Sequence, residues 1–233
     1  MEPSQHNGHR VAPVWLRYVA KQWVYMVALA TVALALLGKV GEDVFEHEST
    51  AFDNAVHMWI VAHQNPILFD IFLFITWIGS SVPVIVGTLA LAVWLWRRRV
   101  RYVAAVVMTA AVGATGIFLV IKQFFHRIRP PGAIRLHVLT YAFPSGHATT
   151  SAAVFVTVAY VLARERILSR RNAVVLGVTG PLLIGASRIY LDVHWATDVL
   201  GGWAAGLLIA ALSAALYERL RVSRTLTGKP LVQ

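Results

Sequence analysis

Long apolar runs separated by short polar breaks dominate the chain. That pattern predicts helices of membrane-spanning length rather than the strict alternation of a half-buried strand. Crossing about 30 Å of hydrocarbon takes about 20 predominantly apolar residues. Six stretches are candidates: 22–37, 82–96, 102–124, 147–163, 173–189 and 197–216. Residues 51–79 behave differently. Polar residues interrupt the first half, Pro66 breaks the middle, and Gly79-Ser80-Ser81 closes the second half. The reading is an interfacial helix over 51–64, then a short, partly embedded helix over 67–79 that leads into the second span. A seventh full span is the alternative there. The predicted fold is therefore all-α: a polytopic membrane protein, a six-transmembrane-helix bundle with a short interfacial helix region between the first and second spans. Its expected divisions are an N-terminal tail over 1–21, a membrane domain over 22–219 and a C-terminal tail over 220–233. The first span lies well inside the chain, lacks a small-x-small cleavage site and precedes further spans, so it reads as an uncleaved anchor.

Composition agrees. The chain of 233 residues is 58% hydrophobic and 14% charged, with a mean hydropathy of +0.63. A soluble domain carries about 25% charged residues, and a disordered one needs low hydrophobicity; both classes are excluded. With no cysteine, disulfides, thiolate nucleophiles and Cys-based metal sites are excluded as well.

A net charge of +10 raises the question of nucleic acid, and the position of the charges answers it. The basic residues gather in four places: Arg10, Arg17 and Lys21; Arg97, Arg98, Arg99 and Arg101; Arg164, Arg166, Arg170 and Arg171; and Arg219, Arg221, Arg224 and Lys229. Six spans put all four on one side, which the positive-inside rule makes the cytoplasm. The first outer loop is acidic, with Glu42, Asp43, Glu46 and Glu48 and no Lys or Arg between Gly41 and Ser81. Basic residues that flank spans are not the basic face of a nucleic-acid-binding module. Both termini are thus expected to be cytoplasmic, and no nucleic-acid partner is expected.

Six basic residues remain: Lys39, Lys122, Arg127, Arg129, Arg135 and Arg188. All but Lys39 fall near the outer ends of the third and fifth spans or in the loop after the third, together with His126, His137, His147 and His194. Ionisable groups at membrane segments are costly and default to functional hypotheses. Three segments hold them: Lys122 to Pro130, Pro144-Ser145-Gly146-His147, and Ser187 to Asp198. Lys122, Arg129 and Arg188 suit phosphate oxygens, Arg in bidentate fashion. Ser145 and Gly146 open a helix whose free N–H groups suit an anion, and the Ser145 hydroxyl is expected to cap that helix and donate to phosphate. His194 and Asp198 are four apart and share a helix face. The carboxylate can hold one imidazole nitrogen while the other attacks phosphorus, with His147 protonating the leaving oxygen. Other polar residues read more plainly. Arg127 and Arg135 are solvated or meet lipid headgroups. His126 and His137 are bystanders, and His57 and His63 have no evident partner. Asp192 competes weakly with Asp198, because residues two apart do not share a helix face. Asp70 is an acid in an apolar run whose arginine partner the sequence does not name.

Taken together, the three segments resemble the type 2 phosphatidic acid phosphatase family. Its signature, K-x6-RP, PSGH and SR-x5-H-x3-D, is met without a gap by Lys122-x6-Arg129-Pro130, Pro144–His147 and Ser187-Arg188-x5-His194-x3-Asp198. The resemblance implies a metal-independent membrane phosphatase without cofactor. It implies His194 as the nucleophile of a phosphohistidine intermediate, Asp198 orienting it and His147 as acid and then base. Lys122, Arg129, Ser145, Gly146 and Arg188 would hold the phosphate. Asp192 and Ala196 stand where many members carry Gly and Pro. The implied substrate is a lipid phosphate: phosphatidate, phosphatidylglycerophosphate, diacylglycerol pyrophosphate or a polyprenyl pyrophosphate. Undecaprenyl pyrophosphate at the outer face of a bacterial inner (plasma) membrane is the first expectation, with an extracytoplasmic active site. The alternatives are a non-catalytic lipid-phosphate binding or transport protein on the same fold, and a vanadium haloperoxidase, which six spans argue against.

Overall fold

A computed structural model describes residues 14–226. The described chain is helical and has no strand. Eight α-helices follow in order: α1 (Val14–Phe45), α2 (Thr50–Ala62), α3 (Pro66–Ile78), α4 (Ser81–Arg97), α5 (Arg101–Phe125), α6 (Gly146–Arg164), α7 (Arg170–Tyr190) and α8 (Ala196–Leu226); a 3-10 turn covers Pro131–Leu136 between α5 and α6. Of the expected tails over 1–21 and 220–233, residues 1–13 and 227–233, with Arg10 and Lys229, lie outside the described residues.

Among the described residues five helices are long and apolar enough to cross a membrane: α1, from Lys21, and α5 to α8. The candidate for a sixth crossing is a bent pair. Helix α4 alone has 17 residues, about 26 Å at 1.5 Å per residue, short of about 30 Å of hydrocarbon. Helices α3 and α4 together meet the requirement, with a 44° bend around Gly79-Ser80. The break is local: Ser80 is extended, with φ −75° and ψ 165°, between the two helices, while at the far end of α3 Asn65 caps the helix, its Oδ1 accepting from the Ile67 and Leu68 N–H groups at 2.9 and 3.2 Å, and Pro66 occupies the first turn. Helix α1 outlasts its apolar stretch because Lys39 pairs with Asp43 at 2.7 Å and Glu42 at 3.4 Å, contacts that support a helix at this spacing.

Helix α8 is central, packed on α1, α5 and α6. The close approach of α6 needs Gly202 and Gly206. A Cβ on Gly202 would lie 2.8 Å from the Ser145 carbonyl oxygen, and one on Gly206 would lie 2.4 Å from that of Thr149. Small residues that let backbones meet are how membrane helices associate where apolar burial gives no drive. Large apolar side chains of α1, α4 and α7, among them Val24, Val86 and Val178, remain exposed, as lipid-facing surfaces should.

The two ends of the bundle differ. At one end the α4–α5 junction and the C-terminal parts of α6 and α8 close over a core of Leu95, Val103, Val107, Val161 and Tyr217. Tyr102 and Tyr217 both donate to Glu165, the latter at 2.6 Å. Glu218, 2% exposed, accepts from Tyr160 at 2.8 Å and from Arg164 Nε at 2.6 Å. The C-terminus of α5, the N-termini of α6 and α8 and the α7–α8 turn meet at the other end.

Candidate active site

His194 lies in the turn between α7 and α8, 3% exposed. Helix α8 starts beside it, and Asp198 sits in its first turn. The Asp198 Oδ2 accepts from the Trp195 N–H at 2.9 Å, the reach-back of a capping box, and lies 3.3 Å from His194 Nδ1. On the other side of the ring, Arg129 Nη1 stands 3.0 Å from His194 Nε2. A guanidinium only donates, so this contact assigns Nε2 as acceptor and puts the ring proton on Nδ1, facing Asp198. Burial, then the charges of Arg129, Arg188 and Lys122, hold the His194 pKa well below the usual 6.5. The ring is therefore neutral at pH 7, with its Nε2 lone pair available.

The cations around it come from two helices and a loop. Arg129 is fixed by the Thr140, Tyr141 and Val193 carbonyls, at 2.5, 3.2 and 2.5 Å. Burial lowers its pKa to about 10, opposed by Asp198, and it stays charged. Lys122 is 7% exposed and donates to the Tyr141 carbonyl at 2.5 Å, so it does not snorkel to a headgroup. Arg188, 5% exposed, donates from Nη1 to Thr76 Oγ1 of α3 at 2.5 Å, while its Nε has no partner. His147, in the first turn of α6, is half-buried, makes no hydrogen bond among the described residues and lies within electrostatic reach of Arg188, His194, Arg129 and Lys122.

Ser145 holds the position before α6, but its hydroxyl does not cap the helix. The side chain is fully buried and the Oγ has no partner, whereas its N–H donates to the Asp198 carbonyl at 2.9 Å. Gly146 follows against the Phe118 ring, 3.2 Å from where a Cβ would stand. Two buried donors, Ser145 Oγ and Arg188 Nε, are thus unpaired in a cluster of three cations, and a phosphate's oxygens would satisfy such groups. Among the described residues no three His, Asp or Glu side chains form a set fit to hold a metal ion.

Several polar residues fall elsewhere than the sequence suggests. Arg127 is neither solvated nor at a headgroup. Its Nη1 donates to Asp198 Oδ1 at 2.6 Å and its Nη2 to Asp53 Oδ2 at 2.6 Å. Asp53, 2% exposed on α2, has no counterpart in the motif reading and also accepts from the Thr197 N–H at 3.0 Å. His57, one turn further along α2, has a partner: Asp192 Oδ1 at 2.7 Å. Asp192 also accepts from the Gly132 N–H at 2.9 Å and does not contend for His194. Its φ of 55° is left-handed, a conformation glycine adopts freely. Arg135, His126 and His137 are exposed, and Asp70 is exposed with no arginine partner among the described residues.

Comparison with known proteins settles the family. The model of the PAP2 superfamily matches residues 101–221, over half of the chain. The chain belongs to the PAP2 superfamily. It is 31% identical, over 72% of its length and 85% of the relative's, to phosphatidylglycerophosphatase B of Bacillus subtilis. It is also 31% identical, over 62% of its length and 76% of the relative's, to a putative undecaprenyl-diphosphatase of Escherichia coli. Its fold resembles the crystal structure of a transmembrane PAP2 type phosphatidylglycerolphosphate phosphatase from Bacillus subtilis, with a TM-score of 0.76 and 24% identity over 82% of this chain and 96% of that one. This PAP2 chain is therefore a membrane phosphatase.

Proposed function

We propose that the protein hydrolyses the phosphate monoester or pyrophosphate of a lipid through a phosphohistidine on His194, on the extracytoplasmic side of the membrane. The observation that carries the reading is the His194 ring itself: Nδ1 held by Asp198 at 3.3 Å, Nε2 facing Arg129 at 3.0 Å, neutral and surrounded by cations. A phosphate drawn in by Lys122, Arg129 and Arg188 takes over the guanidinium's hydrogen bonds and leaves the Nε2 lone pair facing phosphorus.

In the first step Nε2 bonds to phosphorus as the bond to the lipid oxygen breaks, and protonated His147 gives its proton to that oxygen. Asp198 stabilises the imidazolium by accepting from Nδ1–H. In the second step neutral His147 takes a proton from water as its oxygen attacks phosphorus, the N–P bond breaks and inorganic phosphate leaves. Charge stabilisation by fixed donors such as Ser145 and the Gly146 backbone dominates the rate enhancement in sites of this kind.

The activities named for the relatives support phosphatidylglycerophosphate and undecaprenyl pyrophosphate as substrates. The charge pattern supports the side: the basic segments lie at the α4–α5, α6–α7 and C-terminal end, opposite His194. By the positive-inside rule the termini are cytoplasmic and the site faces out, in a bacterium at the outer face of the inner membrane. Within these divisions residues 22–219 are the phosphatase domain, although α1 begins before residue 22 and α8 runs past 219.

The test is phosphate release by purified protein in detergent with EDTA. Phosphatidate, phosphatidylglycerophosphate and undecaprenyl pyrophosphate are offered separately, with His194→Ala in parallel. Release in EDTA that disappears in the variant is expected. Release that survives the substitution removes His194 as nucleophile, and release abolished by EDTA removes the metal-independent reaction.

A further inference from the structure

Helix α2 carries Asp53 and His57 one turn apart, and both reach the catalytic turn. Asp53 Oδ1 accepts from the Thr197 N–H at 3.0 Å, and its Oδ2 from the Thr197 hydroxyl at 2.6 Å. Thr197 is the second residue of α8, where a helix has N–H groups without an intrahelical acceptor. Trp195, just before the helix, has no side-chain oxygen to serve them, so a carboxylate from another helix does so. The same Asp53 Oδ2 binds Arg127 Nη2 at 2.6 Å, and the other end of that guanidinium binds Asp198 Oδ1 at 2.6 Å and Thr197 Oγ1 at 2.8 Å. The Arg127 side chain is 16% exposed between carboxylates that are 2% and 0% exposed. A planar fork pinned at both ends admits one orientation.

We propose that Arg127 and Asp53 are positioning residues for the reaction, holding Asp198 so that its Oδ2, and not its Oδ1, faces His194. This rests on the reading of His194 as nucleophile. With Oδ1 occupied by Arg127, the second oxygen is directed at once to the Trp195 N–H and to His194 Nδ1. Helix α2, which carries none of the signature segments, thereby becomes part of the catalytic support: through Asp53 it fixes Arg127, through Arg127 it fixes Asp198, and Asp198 fixes the ring. Neither residue touches the cluster formed by Lys122, Arg129 and Arg188, so both act on turnover rather than on phosphate affinity.

The experiment compares R127A, R127K, D53N and the double variant R127A/D53N with wild type. Phosphate release is measured against concentration of the best lipid substrate and normalised to monodisperse, helical protein. Loss of support behind a working group typically costs about 10–100-fold. R127A is expected to lose kcat in that range with KM within about threefold, the pattern of an interaction made only in the transition state. R127K, which keeps the charge but cannot fork between two carboxylates, recovers part of the loss. D53N loses less than R127A, and the double variant is no slower than R127A, because Asp53 acts through Arg127. If R127A does not fold, R127K and D53N carry the same comparison, each expected to lose kcat with KM held. The inference is overturned if kcat per folded protein stays within about threefold of wild type, if KM rises at constant kcat, or if the two single losses multiply, since partners in one network do not add. His194→Ala in the same series keeps the readings apart: a variant that still turns over refutes the nucleophile, whereas an inactive one beside additive losses refutes only the positioning roles.

Discussion

Both ends of the bundle bury ionisable groups, and they treat them in opposite ways. At the basic end each carboxylate is surrounded by donors: Glu218 by Tyr160 and Arg164, Glu165 by Tyr102 and Tyr217. At the site end three buried or half-buried cations cluster, and donors such as Ser145 Oγ and Arg188 Nε have no partner. A satisfied network specifies and rigidifies a fold, whereas an unsatisfied one costs free energy and persists where something else repays it. The first end is a clasp tying α5, α6 and α8. The second holds positive potential and free donors for an anion. In between, the Asp53–Arg127–Asp198 chain belongs to the site end by place and to the clasp by character, because every carboxylate oxygen in it is used.

The same carboxylate-to-amide change at each end sharpens the contrast most. Asp198→Asn disturbs the tautomer of His194, and kcat falls by roughly 10⁴-fold, as for a triad carboxylate; steady-state phosphate release measures it, and the thermal midpoint falls as well, because the buried pair with Arg127 is broken. Glu218→Gln at the clasp acts on stability alone. Breaking a buried pair costs about 3–5 kcal/mol, read by thermal unfolding, with kcat per folded protein unchanged. A large loss of kcat in Glu218→Gln would break the division between the ends.

Arg188→Ala removes a phosphate donor and is expected to lower kcat by about 10²–10³-fold without lowering the thermal midpoint, since it relieves repulsion among like charges. Ser145→Ala is smaller still. A hydrogen bond to a charged group is worth about 1.5–3 kcal/mol, so kcat falls while stability holds or rises, an unpaired buried hydroxyl having gone.

The smallest effect is on pH. Burial depresses the His194 pKa in the folded protein, while in the unfolded chain it sits near 6.5. Below pH of about 6.5 the unfolded state therefore binds the extra proton first, and stability falls as pH is lowered toward the folded value. Thermal midpoints between pH 7.5 and about 5 should fall less steeply in His194→Ala than in wild type.

Much of the site was legible because its residues sit in contiguous segments with fixed spacing: Lys122 seven before Arg129, His194 four before Asp198. Local chemistry also marked the start of α3, through Pro66. The second crossing was legible only in part. The apolar run over 82–96 reads as a span by itself, but its helix is too short and needs α3. Arg127, Asp53 and the His57–Asp192 pair were missed for another reason. Arg127 binds partners 74 and 71 residues away, and no period in the sequence reports a contact between helices. One signal was present. Asp53 and His57 are four apart on a helix otherwise rich in apolar residues, so an acid and a histidine share one face, and that face meets the start of α8.

The most direct test of the central claim is to quench turnover within milliseconds, digest the protein under alkaline conditions and locate the phosphoryl group by mass spectrometry. The account predicts a single phosphorylated residue, His194, whose signal appears with lipid phosphate, is lost in acid and is absent from His194→Ala. A phosphoryl group on another side chain, or turnover with no phosphorylated enzyme at any time, would contradict it.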